Sequence, residues 1–366
     1  MLDKKLGQLF QIGISGTSLT SDEKKFLTEN NIGGIVLFAR NLESPKQIYD
    51  LCSEIQSLKT FDAVPFIISI DMEGGRVHRL KPPFTQWPAI RKLADLDSTS
   101  LAFQYSQSMG IELKSVGINM DFAPCIDIFT NPKNEIIGDR SPGESHEIVS
   151  KIGSALTRGY IKSDIITCAK HFPGHGNTIA DSHFELPIET VSLETLKERE
   201  LQPYKKLIRS KVDFIMTAHI KYTEIDSEHP ATFSKKFITD ILKDELRFKG
   251  VIISDDLDMK AIRNHYEIED IPILALEAGC DSLLYCNEPD SPAIAIEAIK
   301  NMLGNASGEF KLHIEKAHKK IISLKQTKLS QLEHIPFEVS KTVIGHPDHM
   351  ALASNIVSGE AVDQSG

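Results

Sequence analysis

Residues 170–187, KHFPGHGNTIADSHFELP, crowd one lysine, three histidines and an aspartate into a stretch interrupted by Pro173, Gly174 and Gly176. Such a set could ligate a metal, move a proton, or merely solvate a loop. His171 and His175 have metal-ligand spacing if helical, because residues four apart share a helix face. Proline and two glycines argue against a helix there. No His-x-His pair stands in the first two strand-like segments either, so the pattern gives a catalytic metal little support. Asp181 and His183 fit proton transfer better. In Asp-x-His the carboxylate can accept from one ring nitrogen and fix the tautomer of the other. A histidine acting as general acid or base near neutral pH needs that arrangement. About twenty residues separate Phe172 from the next helical start, a length often used for a lid.

A proton donor needs a partner, and VIISDDLDMKAI (251–262) offers Asp255, Asp256 and Asp258. Asp258 reads equally well as a charge at a helix N-terminus. Asp255 lies nearer the end of the apolar run and is the better nucleophile candidate, although the pattern does not separate it from Asp256. A carboxylate nucleophile with a distinct acid/base is the machinery of a retaining glycosidase, which usually employs two carboxylic groups.

These residues must be positioned by regular elements. Short apolar runs recur along the chain: LFQIGIS (9–15), GGIVLF (33–38), PFIISID (65–71), INMDFAP (118–124), IITCAKH (165–171), FIMTAHI (214–220), VIISDDL (251–257) and SLLYC (282–286). Most are continuously hydrophobic, as parallel strands covered on both faces are. Amphipathic segments with start signals lie between them, including Ser21-Asp-Glu, Ser44-Pro45 and Ser234. Strand and helix alternating eight times predict a (β/α)8 barrel. A doubly wound sheet is the alternative, but no GxGxxG follows the first strand. Polar residues gather at the strands' C-terminal ends: Arg40, Asn41, Asp71, Asp121, Lys170, His171, His219, Asp255, Asp256 and Asn287. The opposite ends read Leu9, Gly33, Pro65, Ile118, Ile165, Phe214 and Val251. Barrel enzymes build their sites at the C-terminal ends, and this asymmetry predicts one here.

Composition excludes several classes. The 366 residues are 41% hydrophobic and 25% charged, with a net charge of -10. Nucleic-acid recognition normally needs a basic stripe, and Lys and Arg are spread along the chain instead. No apolar run approaches the roughly 20 residues that span a bilayer, and MLDKKLGQLFQIGISG has no signal-peptide cleavage site. A cytoplasmic protein without a membrane partner is expected. Cys52, Cys125, Cys168, Cys280 and Cys286 form no CxxC pair and read as buried free thiols. Residues 1–327 are expected to form a single catalytic barrel and 328–366 a C-terminal tail or linker stub. HPDHMALASNIV could make one amphipathic helix within that tail.

Taken in order, IDMEGGRVHRL, DFAPCIDI followed by NEIIGDRSPG, KHFPGHGNTIADSHFELP, FIMTAHI and VIISDDLDM resemble glycoside hydrolase family 3, in its β-N-acetylhexosaminidase branch. The similarity spans roughly residues 1–325. It implies Asp255 as the nucleophile of a covalent glycosyl-enzyme and His183 as acid/base paired with Asp181. It implies that Asp71 with Arg79, Arg140, Lys170 and His171 hold the sugar, and that His219 lines the pocket. It also implies no metal or organic cofactor, a monomer, and muropeptides carrying N-acetylglucosamine as substrates in peptidoglycan recycling. Asp71 with Lys170 also reads as a barrel-mouth ion pair, and Gly74 and Gly75 as turn geometry. Asn177 stands where many relatives have Asp. A broader-specificity β-glycosidase of the family would share the nucleophile but should lack KHFPGHG…DSH, and an N-acetylglucosaminide phosphorylase would use the same dyad. A silent sugar-binding barrel should have lost Asp255 or His183.

Overall fold

Runs of Ile, Val and Leu without polar alternation must be covered on both faces. In the computed structural model, which describes residues 2–179, 185–330 and 335–359, those runs form eight strands. They are β1 (Phe10–Gly13), β2 (Gly34–Leu37), β3 (Ile67–Ile70), β4 (Met120–Asp121), β5 (Ile166–Phe172), β6 (Phe214–Thr217), β7 (Val251–Asp256) and β8 (Ser282–Tyr285). Each pairs in parallel with the next. β8 returns to β1 through Phe10↔Leu283, Gln11↔Leu284 and Ile12↔Tyr285, which closes the barrel. This is the expected (β/α)8 architecture in one domain.

The outer helices begin where the sequence signals them, with one shift. Ser44 accepts from the Gln47 N–H and Pro45 starts the helix Pro45–Ser57. Ahead of Ser21–Glu29, however, the cap is Thr20, which exchanges hydrogen bonds with Glu23 as a capping box.

Two irregularities in the ladder bear on function. Between Ala169↔Ile215 and Phe172↔Thr217, the pair Lys170–His171 of β5 faces one residue of β6. Between Ile253↔Ser282 and Asp256↔Leu284, the pair Ser254–Asp255 of β7 faces one residue of β8. A bulge bends its strand and re-aims a side chain. Both bulges fall at C-terminal strand ends and on predicted site residues.

The opposite end serves stability, as such ends do in barrels of this type. Lys325, from the helix Gly308–Lys328, buries its ammonium on Gln8 Oε1 at 2.7 Å and the Gly33 carbonyl at 2.6 Å. Burial pushes its pKa down to about 7. The helix Pro347–Ser358 packs against Thr99–Ser115 and Arg91–Asp95 and buries Leu352, Ala353 and Ile356. His349 Nδ1 meets Glu112 Oε1 at 2.9 Å, and Glu112 also receives the Thr85 N–H. Ile356→Ala should therefore lower the urea-unfolding free energy by about 2 kcal/mol without altering kcat. An unchanged midpoint would mean that this helix adds nothing to the barrel.

Candidate active site

Asp71 follows β3, and a short hairpin, Met72–Gly74 with Val77–His78, turns over the barrel mouth. Gly74 and Gly75 carry φ of 85° and 55°, so both serve the turn. The bulge in β5 sends Lys170 into this corner. Its Nζ lies 2.6 Å from Asp71 Oδ1 and 2.6 Å from Glu73 Oε1. Glu73 in turn takes two hydrogen bonds from Arg140, from Nε at 2.8 Å and Nη2 at 2.9 Å. Arg79 stands farther off, with Nη2 4.0 Å from Asp71 Oδ2. Burial opposes the charge on Glu73, yet the nearby Arg140 and Lys170 outweigh it and hold the carboxyl well below its usual range. Burial likewise works against the Lys170 ammonium, and Asp71 and Glu73 more than restore it. Arg76 pins the same loop from the side, donating to the carbonyls of Glu135, Ile136 and Ile137. The hairpin thus presents Asp71 directly and Arg140 through Glu73.

The turn after β5 is held by one buried carboxylate. Asp127 Oδ1 accepts the backbone N–H groups of His171 (3.2 Å) and His175 (2.7 Å). Its Oδ2 takes His171 Nδ1–H at 2.7 Å and the Cys125 thiol at 3.3 Å. Burial opposes ionisation of Asp127, but the two histidines dominate and depress its pKa well below the usual range. A carboxylate at Nδ1 fixes the His171 tautomer and leaves Nε2 for another partner. His175, by contrast, is pushed down to about 4 by burial and by His171, so it is neutral at pH 7. Asn134 Nδ2 donates to the His175 carbonyl at 2.8 Å. A Cβ at Gly176 would lie 1.7 Å from the Ile128 carbonyl oxygen, so glycine is needed where the two loops meet.

Among the described residues, Cys125, Asp127 and His171 form a group with metal-ligand composition, their ligand atoms within 4.8 Å of one another. The thiol and the imidazole N–H already converge on Asp127 Oδ2, and burial and the Asp127 charge raise the Cys125 pKa far above normal. A metal would have to displace both protons, so this trio works as a hydrogen-bonded brace.

At the end of β7 the neighbouring aspartates part company. Asp256 is buried and accepts on both oxygens: Oδ1 from the N–H of Asp258 and of Cys286, each at 3.1 Å, and Oδ2 from Asn287 Nδ2 at 2.6 Å. Burial, with the charges of Asp258 and Asp255, pushes its pKa up to about 7. Asp255 is only partly buried, and its Oδ1 accepts the Asp256 N–H at 2.8 Å. Its charge acts on Cys168, His175 and Cys286, and Asp71 acts on Cys168 and Cys286 as well. Asp255 and Asp71 therefore share the barrel mouth, whereas Asp256 is committed to β8.

The structure thus brings together Asp71, Arg79, Arg140, Lys170, His171 and Asp255. It corrects the expectation for His219, which has no exposed surface and lies beneath the mouth. Its Nδ1 is 2.8 Å from Thr232 Oγ1 and its Nε2 3.0 Å from the Asp256 carbonyl. Asp181 and His183 lie outside the described residues. Glu73 and Asp127 went unassigned from sequence, although both sit inside the motifs IDMEGGRVHRL and DFAPCIDI.

Comparison with known proteins agrees with this fold. The model of the glycosyl hydrolase family 3 N terminal domain matches residues 1–324. A beta-hexosaminidase of Nitrosomonas eutropha is 38% identical over 292 residues, covering 78% of this chain and 82% of that protein. The family 3 beta-N-acetylglucosaminidase of a Paenibacillus species superposes with a TM-score of 0.92 at 35% identity, over 97% of this chain and 68% of its own. NagZ from Neisseria gonorrhoeae superposes with a TM-score of 0.72 at 30% identity, over 94% of this chain and 97% of its own.

Proposed function

The chain belongs to glycosyl hydrolase family 3, and from that membership we propose a two-step, retaining mechanism for its β-N-acetylhexosaminidase activity. The observation that carries this reading is the placement of Asp255 on a strand bulge, facing the barrel mouth that also holds Asp71 and Lys170. His183 as imidazolium protonates the glycosidic oxygen while an Asp255 oxygen attacks the anomeric carbon. The bond to the aglycone breaks as the bond to Asp255 forms. Neutral His183 then takes a proton from water, whose oxygen attacks the same carbon and releases Asp255 with retained configuration. Asp181 orients His183 throughout. The roles of Asp181 and His183 rest on the DSH triplet and the family match, not on geometry.

Asp71, Arg79, Lys170 and His171 would hold hydroxyl and acetamido groups of N-acetylglucosamine, with Arg140 steadying that set through Glu73. The substrates are muropeptides ending in β-linked N-acetylglucosamine, and the setting is cytoplasmic peptidoglycan recycling by a monomer. No helix among the described residues is long and apolar enough to cross a membrane.

The test is release of 4-nitrophenol from the β-glycosides of N-acetylglucosamine and of glucose, with EDTA present and then with added phosphate. Turnover of the N-acetyl substrate, insensitive to EDTA and to phosphate, is the expected result. A parallel digest of N-acetylglucosaminyl-anhydromuramic acid should release free N-acetylglucosamine. Comparable turnover of the glucoside would point to a broader β-glycosidase, and strong phosphate dependence to a phosphorylase. Loss of activity in EDTA would overturn the metal-free mechanism.

A further inference from the structure

In the TAHI segment, just past the end of β6, stands a fully buried histidine, His219. His219 Nε2 lies 3.0 Å from the Asp256 carbonyl oxygen. A carbonyl only accepts, so Nε2 carries a proton. Nδ1 faces the Thr232 hydroxyl at 2.8 Å, a group able to give or take a hydrogen bond. Thr232 is itself tied to the Ala218 carbonyl at 3.0 Å and to Thr217 Oγ1 at 2.9 Å. The ring is thus anchored on Thr232 of the turn Ala231–Phe233, itself tied to the end of β6, and it donates across to β7.

The residue it grips is the one that fixes Asp255. The Asp256 N–H donates to Asp255 Oδ1 at 2.8 Å. The bulge at Ser254–Asp255 interrupts the regular ladder with β8 just before this peptide. Past the bulge Asp256 is fixed by the Leu257 N–H on the Leu284 carbonyl at 2.9 Å, by its carboxylate on Cys286 N–H and Asn287 Nδ2, by the Met259 N–H on the Asp256 carbonyl at 3.1 Å, and by His219 on the same carbonyl. Of these, only His219 ties the peptide to β6.

We infer that His219 is a positioning residue for the glycosidic reaction, one that fixes the Asp256 backbone by its carbonyl so that the Asp256 N–H holds the Asp255 carboxylate in place for attack on the anomeric carbon. The inference rests on the reading of Asp255 as nucleophile. A displacement of about 1 Å at a reacting group can cost a factor of about 100 in rate, and His219 is fully buried. Its removal should therefore fall on kcat and spare KM.

The experiment compares His219→Leu, His219→Gln and Asp255→Ala on 4-nitrophenyl β-N-acetylglucosaminide, with thermal unfolding recorded for each. His219→Leu should lower kcat about 10- to 100-fold with KM within about threefold of the native value. His219→Gln, whose amide nitrogen can donate to the Asp256 carbonyl, should recover most of that loss at a similar Tm. A rise in KM at unchanged kcat would make His219 a substrate contact, and native values of both would leave it no role; either overturns the inference. If His219→Leu does not fold, Thr232→Val carries the test: a fall of several-fold in kcat supports the anchor, and an unchanged kcat overturns it. Asp255→Ala separates the two readings. Retained turnover there removes the nucleophile and His219 together, whereas an inactive Asp255→Ala beside a fully active His219→Leu removes only the inference about His219.

Discussion

Asp255→Ala is expected to reduce kcat for 4-nitrophenyl β-N-acetylglucosaminide by about 10,000-fold or more, the scale seen when a covalent-catalysis residue is deleted. Sodium azide should restore part of that rate and yield the α-glycosyl azide, because a small anion can enter the space left by the carboxylate and attack from the same side. The expectation is specific to Asp255. Asp256 is buried and receives hydrogen bonds from Asp258, Cys286 and Asn287 on both oxygens, which commit it to β8 and its following turn. Asp255 accepts the Asp256 N–H and remains partly exposed at the mouth. Rate without azide near the native value, or a β-configured azide product, would exclude Asp255 as the attacking group.

The barrel and the composition of its mouth were legible because both follow from one-dimensional patterns. Eight apolar runs gave eight strands, and polar residues collected at one end of each. The choice between Asp255 and Asp256 was not legible, since it depends on a bulge. A run such as VIISDDL shows no sign that Ser254 and Asp255 will share one partner on β8. His219 misled for a related reason. A histidine just past a strand end suggests a pocket wall, but here the chain turns and buries the ring between β6 and β7. Glu73 and Asp127 lay in plain view within recognised motifs, yet their work is to hold other side chains. A buried carboxylate declares that work only through its partners in space.

Glu73 is where that hidden layer should show the largest effect on stability. Its carboxylate is buried and bridges the buried Lys170 ammonium and the partly buried Arg140 guanidinium. Removing one partner of such a set leaves uncompensated charge in low dielectric, a loss of about 3–5 kcal/mol. Glu73→Gln, of nearly the same shape, should therefore lower the urea-unfolding free energy by that order at pH 7. It should also raise KM, because Lys170 and Arg140 lose the group that aligns them. The pH dependence gives the charge away. Lys170 and Arg140 depress the Glu73 pKa in the folded protein below its unfolded value near 4.3. Its contribution is complete above that value and declines as pH falls toward the folded pKa, by up to about 1.4 kcal/mol per pH unit. The gap between the native protein and Glu73→Gln should hence be constant from pH 6 to 8 and narrow below about pH 4. A gap that persists undiminished at pH 3 would assign the loss to shape and hydrogen bonding, leaving Lys170 and Arg140 held by something other than the charge between them.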